Sequence, residues 1–91
     1  MDLHARPFRK QLPVHHVPDA DSGYVFDPAQ QTLVGLNPVG EGIWELCDGE
    51  TTVSEIAEEL AQHFGRASSE VISDVTAFLT DLARHQLIEW R

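Results

Sequence analysis

The chain has 91 residues, of which 42% are hydrophobic, and 15 acidic side chains against 6 basic ones give a formal net charge of −9. This length allows one domain with a single modest core, and the hydrophobic content excludes a disordered chain. The acidic balance repels a phosphate backbone over most directions of approach, which disfavours nucleic-acid binding.

Neither a membrane anchor nor an export signal is predicted. No apolar run approaches the length of a transmembrane helix, and residues 1–10 lack the apolar core of a signal peptide. The single cysteine, Cys47, cannot form an internal disulfide, which fits a reducing compartment. We therefore expect a cytoplasmic protein.

The N-terminal segment, residues 1–10, is polar and contains three of the basic residues, Arg6, Arg9 and Lys10. Such a composition favours a flexible arm that precedes a folded domain over residues 11–91. The alternative interpretation is that the basic cluster contacts a partner.

Three short strands are predicted after this arm. Residues 11–17 form the first, and Pro13 and Pro18 place it at a sheet edge, because proline cannot donate to a strand ladder. Aromatic and β-branched residues predict the second strand at residues 24–26. A polar turn that contains proline separates it from the third strand, residues 32–36.

The first helix is predicted from Pro38 to about Leu46. Asn37 is suited to cap its N-terminus, and Pro38 fits the first helical position, where its missing N–H costs no hydrogen bond. Gly40 and Gly42 lower the helix propensity, which indicates close packing against another element. The Asp48-Gly49 pair ends the helix.

Two further helices are predicted from capping and periodicity. Thr52 and Glu55 have capping-box spacing at the start of the second helix, and Gly65 ends it. Ser68 or Ser69 is expected to cap the third helix, which ends near residues 84–85, where basic side chains suit a helix C-terminus.

An apolar tail, Leu87, Ile88 and Trp90, follows the third helix and is expected to fold back onto the core. The order of elements is three strands and then three helices. This order predicts an α+β fold, a winged helix-turn-helix-like arrangement in which a three-stranded antiparallel sheet is followed by three helices.

No assembled catalytic or metal site is predicted. His15 and His16 are adjacent, so on a strand they point to opposite faces and cannot chelate one ion together. Cys47 lies on the apolar side of the first helix without basic neighbours in sequence, which favours a buried structural thiol. We therefore expect no enzymatic activity, no metal and no cofactor.

Four motifs in order resemble the PqqD family, and together they span Gly23 to Ile88. They are a hairpin that ends in Leu-Asn, G-x-x-I-W-x-L-x-D-G, T-V-x-E-I-A-x-x-L, and D-V-x-x-F-L-x-x-L-x-x-x-x-L-I. The resemblance implies a RiPP recognition element, a small peptide chaperone that acts in pyrroloquinoline quinone or related peptide-natural-product biosynthesis. Such a domain binds the leader of a ribosomally synthesised precursor peptide and presents it to a modifying enzyme.

The third strand is the predicted binding element, because it contains no proline, lysine or inward charge that would block a further strand. A leader is expected to pair with the backbone of Thr32, Val34 and Leu36, and the resemblance places a groove between this strand and helix three. The predicted peptide-binding residues are Thr32, Leu33, Val34, Gly35, Leu36, Asp74, Val75, Phe78, Leu79 and Leu82. Some of the apolar helix residues must instead face the core, and a helix, the tail or a second subunit is the alternative cover for the edge.

Asp74 and Asp81 lie near one face of helix three, where they are suited either to a basic leader residue or to simple solvation. The expected partners are the precursor peptide and a modifying enzyme such as a radical SAM protein or a leader peptidase. The acidic surface or the basic arm would dock that enzyme, and the prediction includes a homodimer but no nucleic acid and no membrane. The alternatives are a winged-helix nucleic-acid-binding regulator and a dimeric interaction scaffold. The carboxylates of helix three disfavour the regulator.

Overall fold

The computed structural model describes all residues, 1–91, and contains five strands and three helices. The elements are β1 (Pro7–Arg9), β2 (Val14–His16), β3 (Gly23–Asp27), β4 (Thr32–Leu36), α1 (Pro38–Leu46), α2 (Val53–Phe64), α3 (Ser68–Arg84) and β5 (Ile88–Trp90). Strands β2, β3 and β4 form one antiparallel sheet in that order, and β1 and β5 form a second. The predicted α+β fold, a three-stranded antiparallel sheet with three helices after it, is confirmed.

Strand β2 lies at the edge of its sheet, as the flanking prolines predict, but it is shorter than the predicted 11–17. The Val17 N–H donates to the Ser22 carbonyl at 3.0 Å, so Val17 faces β3. Backbone groups alternate in direction along a strand, and Pro13 is therefore also on the side that faces β3. Proline has no N–H to donate there, and the strand begins only at Val14.

The start of α1 follows the prediction closely. The Gly40 N–H donates to Asn37 Oδ1 at 2.7 Å, and Pro38 occupies the first helical position. Gly42 permits a close approach between helices, because a Cβ built there would lie 2.7 Å from Leu60 Cδ2 of α2. The packing reason that was expected for this glycine is therefore its contact with α2.

The capping box of α2 is present and the predicted serine cap of α3 is wrong. The Glu55 N–H donates to Thr52 Oγ1 at 3.1 Å, and the Thr52 N–H donates to Glu55 Oε1 at 2.9 Å. Gly65 ends the helix in the left-handed region, with φ of 63°. The N-cap of α3 is Ala67, which has no side-chain acceptor. Both candidate serines, residues 68 and 69, are already inside the helix.

One apolar core joins the inner face of the three-stranded sheet to all three helices and to β5. Its buried members are Val25, Leu36, Ile43, Trp44, Cys47, Val53, Ile56, Ala57, Leu60, Ala61, Val71, Val75, Leu79, Leu82, Leu87 and Ile88. Trp44 is the largest side chain in this set and fixes α1 against its neighbours. The core holds α1, α3 and β4 in a fixed mutual arrangement, and this arrangement positions the candidate site.

The two chain ends meet in a ribbon that the sequence did not predict. Strand β1 pairs antiparallel with β5, with Phe8 opposite Glu89, although residues 1–10 were expected to form an arm outside the domain. The Val53 N–H also donates to the Ala5 carbonyl at 3.0 Å, which ties the segment to α2. The boundary between residues 10 and 11 is therefore not a structural one, while flexibility of the first residues stays a prediction.

The tail folds back onto the core as expected for Leu87 and Ile88, which are buried, whereas Trp90 remains partly exposed. None of the three helices combines the length and the apolar character that a membrane span requires.

Candidate functional site

Strand β4 lies at an edge of the three-stranded sheet and pairs with β3 alone. Along an antiparallel pair, successive residues direct their backbone groups alternately toward the partner strand and away from it. The hydrogen bond from the Val17 N–H to the Ser22 carbonyl is in register with the β2–β3 pairing, so Ser22 directs its backbone groups toward β2. By alternation, residues 24 and 26 also direct theirs toward β2. Residues 23, 25 and 27 therefore face β4.

The residues of β4 divide by the same alternation. Thr32, Val34 and Leu36 lie opposite the β3 residues that face β4, so their backbone groups are already used within the sheet. Leu33 and Gly35 direct their N–H and C=O groups to the open side, where no strand lies. The predicted pairing of a leader with Thr32, Val34 and Leu36 is therefore wrong in register, and the free groups belong to Leu33 and Gly35.

The side chains of β4 follow the pleat. Leu36 is buried in the core and Val34 packs against it from the inner face of the sheet. Leu33 points to the outer face and is 62% exposed. Gly35 presents bare backbone on that outer face, since a Cβ built there would meet no atom within 4 Å. Both residues of β4 with free backbone groups, Leu33 and Gly35, are therefore exposed.

A groove of about 490 Å³ lies beside this edge, between β4, the start of α1 and one face of α3. Gly35 forms its wall on β4, Val39 contributes apolar surface from α1 above the buried Ile43, and Phe78 contributes an aromatic ring from α3. The groove therefore adjoins the free backbone groups and offers apolar contacts to a chain that pairs there.

The five predicted binding residues of α3 lie on two different faces of the helix. Val75, Leu79 and Leu82 are fully buried and belong to the core, so they do not line the groove. Phe78 is half-buried and lines it, as does the exposed Asp74. Of the five predicted helix residues, the structure brings only these two to the groove.

Several groove residues were missed by the sequence reasoning. Ala77 lies three residues after Asp74 and four before Asp81, which was already expected on one face of α3 with Asp74, so the 3.6-residue period was a signal that could have found Ala77. Val39 and Ile43 of α1 carried no such signal, because their position depends on how α1 packs against α3. Arg66, in the connection from α2 to α3, likewise reaches the groove only through tertiary structure.

Strand β4 and helix α3 run in opposite directions past each other. Gln30, just before β4, donates from Nε2 to the His85 carbonyl at the end of α3, at 3.0 Å. At the other end of β4, a Cβ built on Gly40 would lie 3.5 Å from Phe78 Cζ and 3.7 Å from Leu36 Cδ2. Following β4 from its first residue to its last therefore leads backwards along α3.

The groove carries more negative than positive charge. Arg66 donates from Nη1 to Asp74 Oδ2 at 3.3 Å, and its Nε lies 3.7 Å from Glu70 Oε2. Asp81 faces only Arg84, at 3.7 Å, in an exposed pair. Exposed pairs of this kind contribute little to stability, about 0–1 kcal/mol.

A buried carboxylate fixes the turn that leads into β4. Asp27, which is 1% exposed, accepts from Lys10 Nζ at 2.6 Å, from Gln30 Nε2 at 2.8 Å and from the Ala29 N–H at 3.0 Å. The hydrogen bond from Lys10, with those from Gln30 and Ala29, lowers the pKa of Asp27 from 3.8 to about 2. The start of the edge is therefore tied both to the N-terminal segment and to the end of α3.

Cys47 is fully buried, as predicted, and burial raises the pKa of its thiol to about 12. A thiol with that pKa is not a nucleophile near neutral pH. No group of three or more side chains of the metal-binding types lies close enough together to hold an ion.

Comparison with known proteins finds a similar fold and a matching family. The solved structure of TbiB1 in complex with the TbiA(beta) leader peptide is similar to this chain, with a TM-score of 0.73 and 24% sequence identity, over 90% of this chain and 94% of that one. This similarity shows that the two share a fold. A search of curated proteins finds no match. A family model described as coenzyme PQQ synthesis protein D (PqqD) matches residues 23–88, so the chain belongs to the PqqD family.

Proposed function

We propose that this protein binds the leader segment of a ribosomally synthesised precursor peptide by strand addition to β4 and presents it to a modifying enzyme. The observation that carries the proposal is the open edge at Leu33 and Gly35 with the groove directly beside it. Family membership and the leader peptide bound to TbiB1 support the same class of ligand. Strand addition supplies affinity through the main chain and specificity through alternate side-chain pockets.

Backbone pairing alone does not give tight binding. Each net hydrogen bond contributes about 0.5–1.5 kcal/mol, whereas association costs at least about 4 kcal/mol in lost translational and rotational freedom. Burial of an apolar leader side chain contributes about 1.5–3 kcal/mol. The partly exposed groove residues Val39 and Phe78 supply the surface for such burial. Affinity in this proposal therefore requires both the backbone pairing at the edge and the apolar contacts of the groove.

The bond chemistry is left to the partner enzyme, which we propose to be a radical SAM protein or a leader peptidase. Holding the leader in an extended form places the rest of the precursor at a high effective concentration near that enzyme. The basic residues Arg6, Arg9 and Lys10 lie in and next to β1, and none of them lines the groove beside β4 and α3. We propose the β1 region as the enzyme-docking surface, because it leaves the leader site free.

The direct test is a titration of synthetic leaders from candidate precursor peptides into isotopically labelled protein, followed by NMR. The amides of Leu33 and Gly35 are expected to shift together with those of α3 around Phe78, because these groups border the incoming strand. Shifts confined to β1, β5 or α2 would contradict the proposal. Sedimentation in the same samples identifies the competing arrangement, in which two copies pair through β4 and the peptide has no effect on the amides.

A further inference from the structure

We propose that the groove selects leaders in which an apolar residue is followed, two positions later, by lysine or arginine, and that Asp81 recognises this cation. The inference rests on the proposed function and adds the sequence class of leader that the same site takes. It follows from the relative direction of β4 and α3, from the spacing of groove residues along α3, and from the unequal engagement of the two groove aspartates.

The direction of the bound chain follows from the fold. A leader paired antiparallel with β4 runs in the same direction as α3, because β4 and α3 are themselves opposed. From its N-terminal to its C-terminal end, this leader passes Asp74, then Phe78 and then Asp81. A side chain that packs against Phe78 is therefore followed by one that lies near Asp81.

The spacing of Phe78 and Asp81 along α3 matches the spacing of two leader side chains on one face of a strand. Phe78 and Asp81 are three residues apart, which is about 4.5 Å along the helix axis. Two positions along a strand span about 6.6 Å, and they return the side chain to the same face. The difference of about 2 Å is within reach of the flexible stem of lysine or arginine. An apolar residue and a cation two positions later thus meet Phe78 and Asp81 in turn.

The two groove aspartates, Asp74 and Asp81, differ in the ion pairs and hydrogen bonds that they already make within the protein. Asp74 accepts a hydrogen bond from Arg66, whose Nε also lies near Glu70, so the one cation of the groove is committed. Asp81 makes only a long contact with Arg84, and both side chains are more than half exposed. Asp81 is therefore the carboxylate that remains available to a ligand. The net charge of −9 attracts a cationic peptide from a distance as well.

The experiment selects binders from a phage-displayed library of random peptides on immobilised wild-type protein and on three variants. The variants are Asp81→Asn, Asp74→Asn and the control Glu59→Gln, which removes an exposed carboxylate of α2 outside the groove. The enriched wild-type peptides are expected to share an apolar residue followed two positions later by lysine or arginine. The best binder is then synthesised with lysine, glutamine or glutamate at that position.

The lysine peptide is expected to bind wild-type protein about two- to fivefold more tightly than the glutamine peptide, as for an exposed ion pair. Asp81→Asn removes this preference, Asp74→Asn and Glu59→Gln retain it, and added salt reduces it in wild-type protein. Peptides that shift the amides of Leu33 and Gly35 without any preference for a cation would overturn this inference and leave the proposed function intact. If no enriched peptide shifts those amides, the proposed function itself fails.

Discussion

The two edges of the three-stranded sheet differ less in their backbone than in what lies beside them. On β2 the residues whose backbone N–H and C=O groups point to the open side of the sheet are Val14 and His16, and on β4 they are Leu33 and Gly35. Each edge therefore offers two residues with free backbone groups. The edge of β2 ends at Pro18, which has no N–H, whereas β4 is longer and lies next to the groove.

An unpaired strand is therefore not by itself a binding site. Two residues of free backbone provide only a few hydrogen bonds, and their net contribution does not exceed the cost of association. No residue of β2 lines the groove, while Gly35 of β4 does. The apolar surface of α1 and α3 beside β4 is what distinguishes the two edges, and three predictions test this comparison.

The largest effect is expected from proline at an outward position of β4. Leu33→Pro removes a free N–H, and its ring occupies the place of the incoming strand, so about two hydrogen bonds are lost. We expect peptide binding, measured by isothermal titration, to weaken about 100-fold, which corresponds to about 2.7 kcal/mol. The melting temperature should change little, since the bonds from β4 to β3 remain.

Two matched prolines separate binding from folding in this test. His16→Pro alters an outward position of the other edge and should leave peptide affinity unchanged. Val34→Pro alters an inward position opposite Val25 and should destabilise the hairpin itself, because the Val34 N–H faces β3. Equal loss of peptide affinity in the Leu33 and His16 variants would remove the distinction between the edges.

A smaller effect is expected from the groove wall. Phe78→Ala removes the aromatic surface that α3 offers, and we expect about tenfold weaker peptide binding, near the lower end of what one buried apolar side chain contributes. Ile72→Ala is the control, because Ile72 is a half-buried residue of α3 that packs on the core away from the groove. Both variants should lose thermal stability, and only the Phe78 variant should lose affinity.

Local signals in the sequence predicted the helices well and the binding edge only in part. The Asn37 cap and the Thr52–Glu55 capping box depend on residues three apart, so the sequence contains all the information. Each residue of β3 directs its backbone groups either to β2 or to β4, so the pairing of β2 with β3 determines which backbone groups of β4 remain free. The residues of the turns do not indicate this pairing. The choice of Thr32, Val34 and Leu36 was wrong for this reason.

Features that arise from distant parts of the chain were not predictable in the same way. Strand β1 contains three residues and pairs with β5 at the opposite end of the sequence, so no periodic pattern marks it. On α3, Phe78 and Leu79 are adjacent apolar residues, and the packing of α3 against the other elements of the core decides that Leu79 is buried while Phe78 borders the groove. Arg66 reaches that groove through the same packing.

The smallest effect on binding is expected from Asp27, which holds the turn before β4 rather than the edge itself. Its pKa of about 2 in the folded protein lies below the ordinary value of 3.8. The ionised carboxylate therefore stabilises the fold above about pH 4, and this contribution is lost as the pH falls from about 4 toward 2. Asp27→Asn should lower the free energy of unfolding at neutral pH and make its decline across this acid range shallower.

Urea denaturation of both proteins at a series of pH values measures this difference. Some acid dependence must remain in the variant, because hydrogen bonds also lower the pKa values of Asp48 and Glu55. Asp21→Asn is the control, since it removes a carboxylate from the exposed connection between β2 and β3. Peptide affinity at neutral pH should stay within about twofold of wild type, because Leu33, Gly35 and the groove are unchanged.

A parallel acid decline of the free energy of unfolding in wild type and the Asp27 variant would mean that the contacts of Asp27 with Lys10, Gln30 and Ala29 do not stabilise this turn. The β4 edge would then owe its position to the core residues Leu36 and Val34 alone.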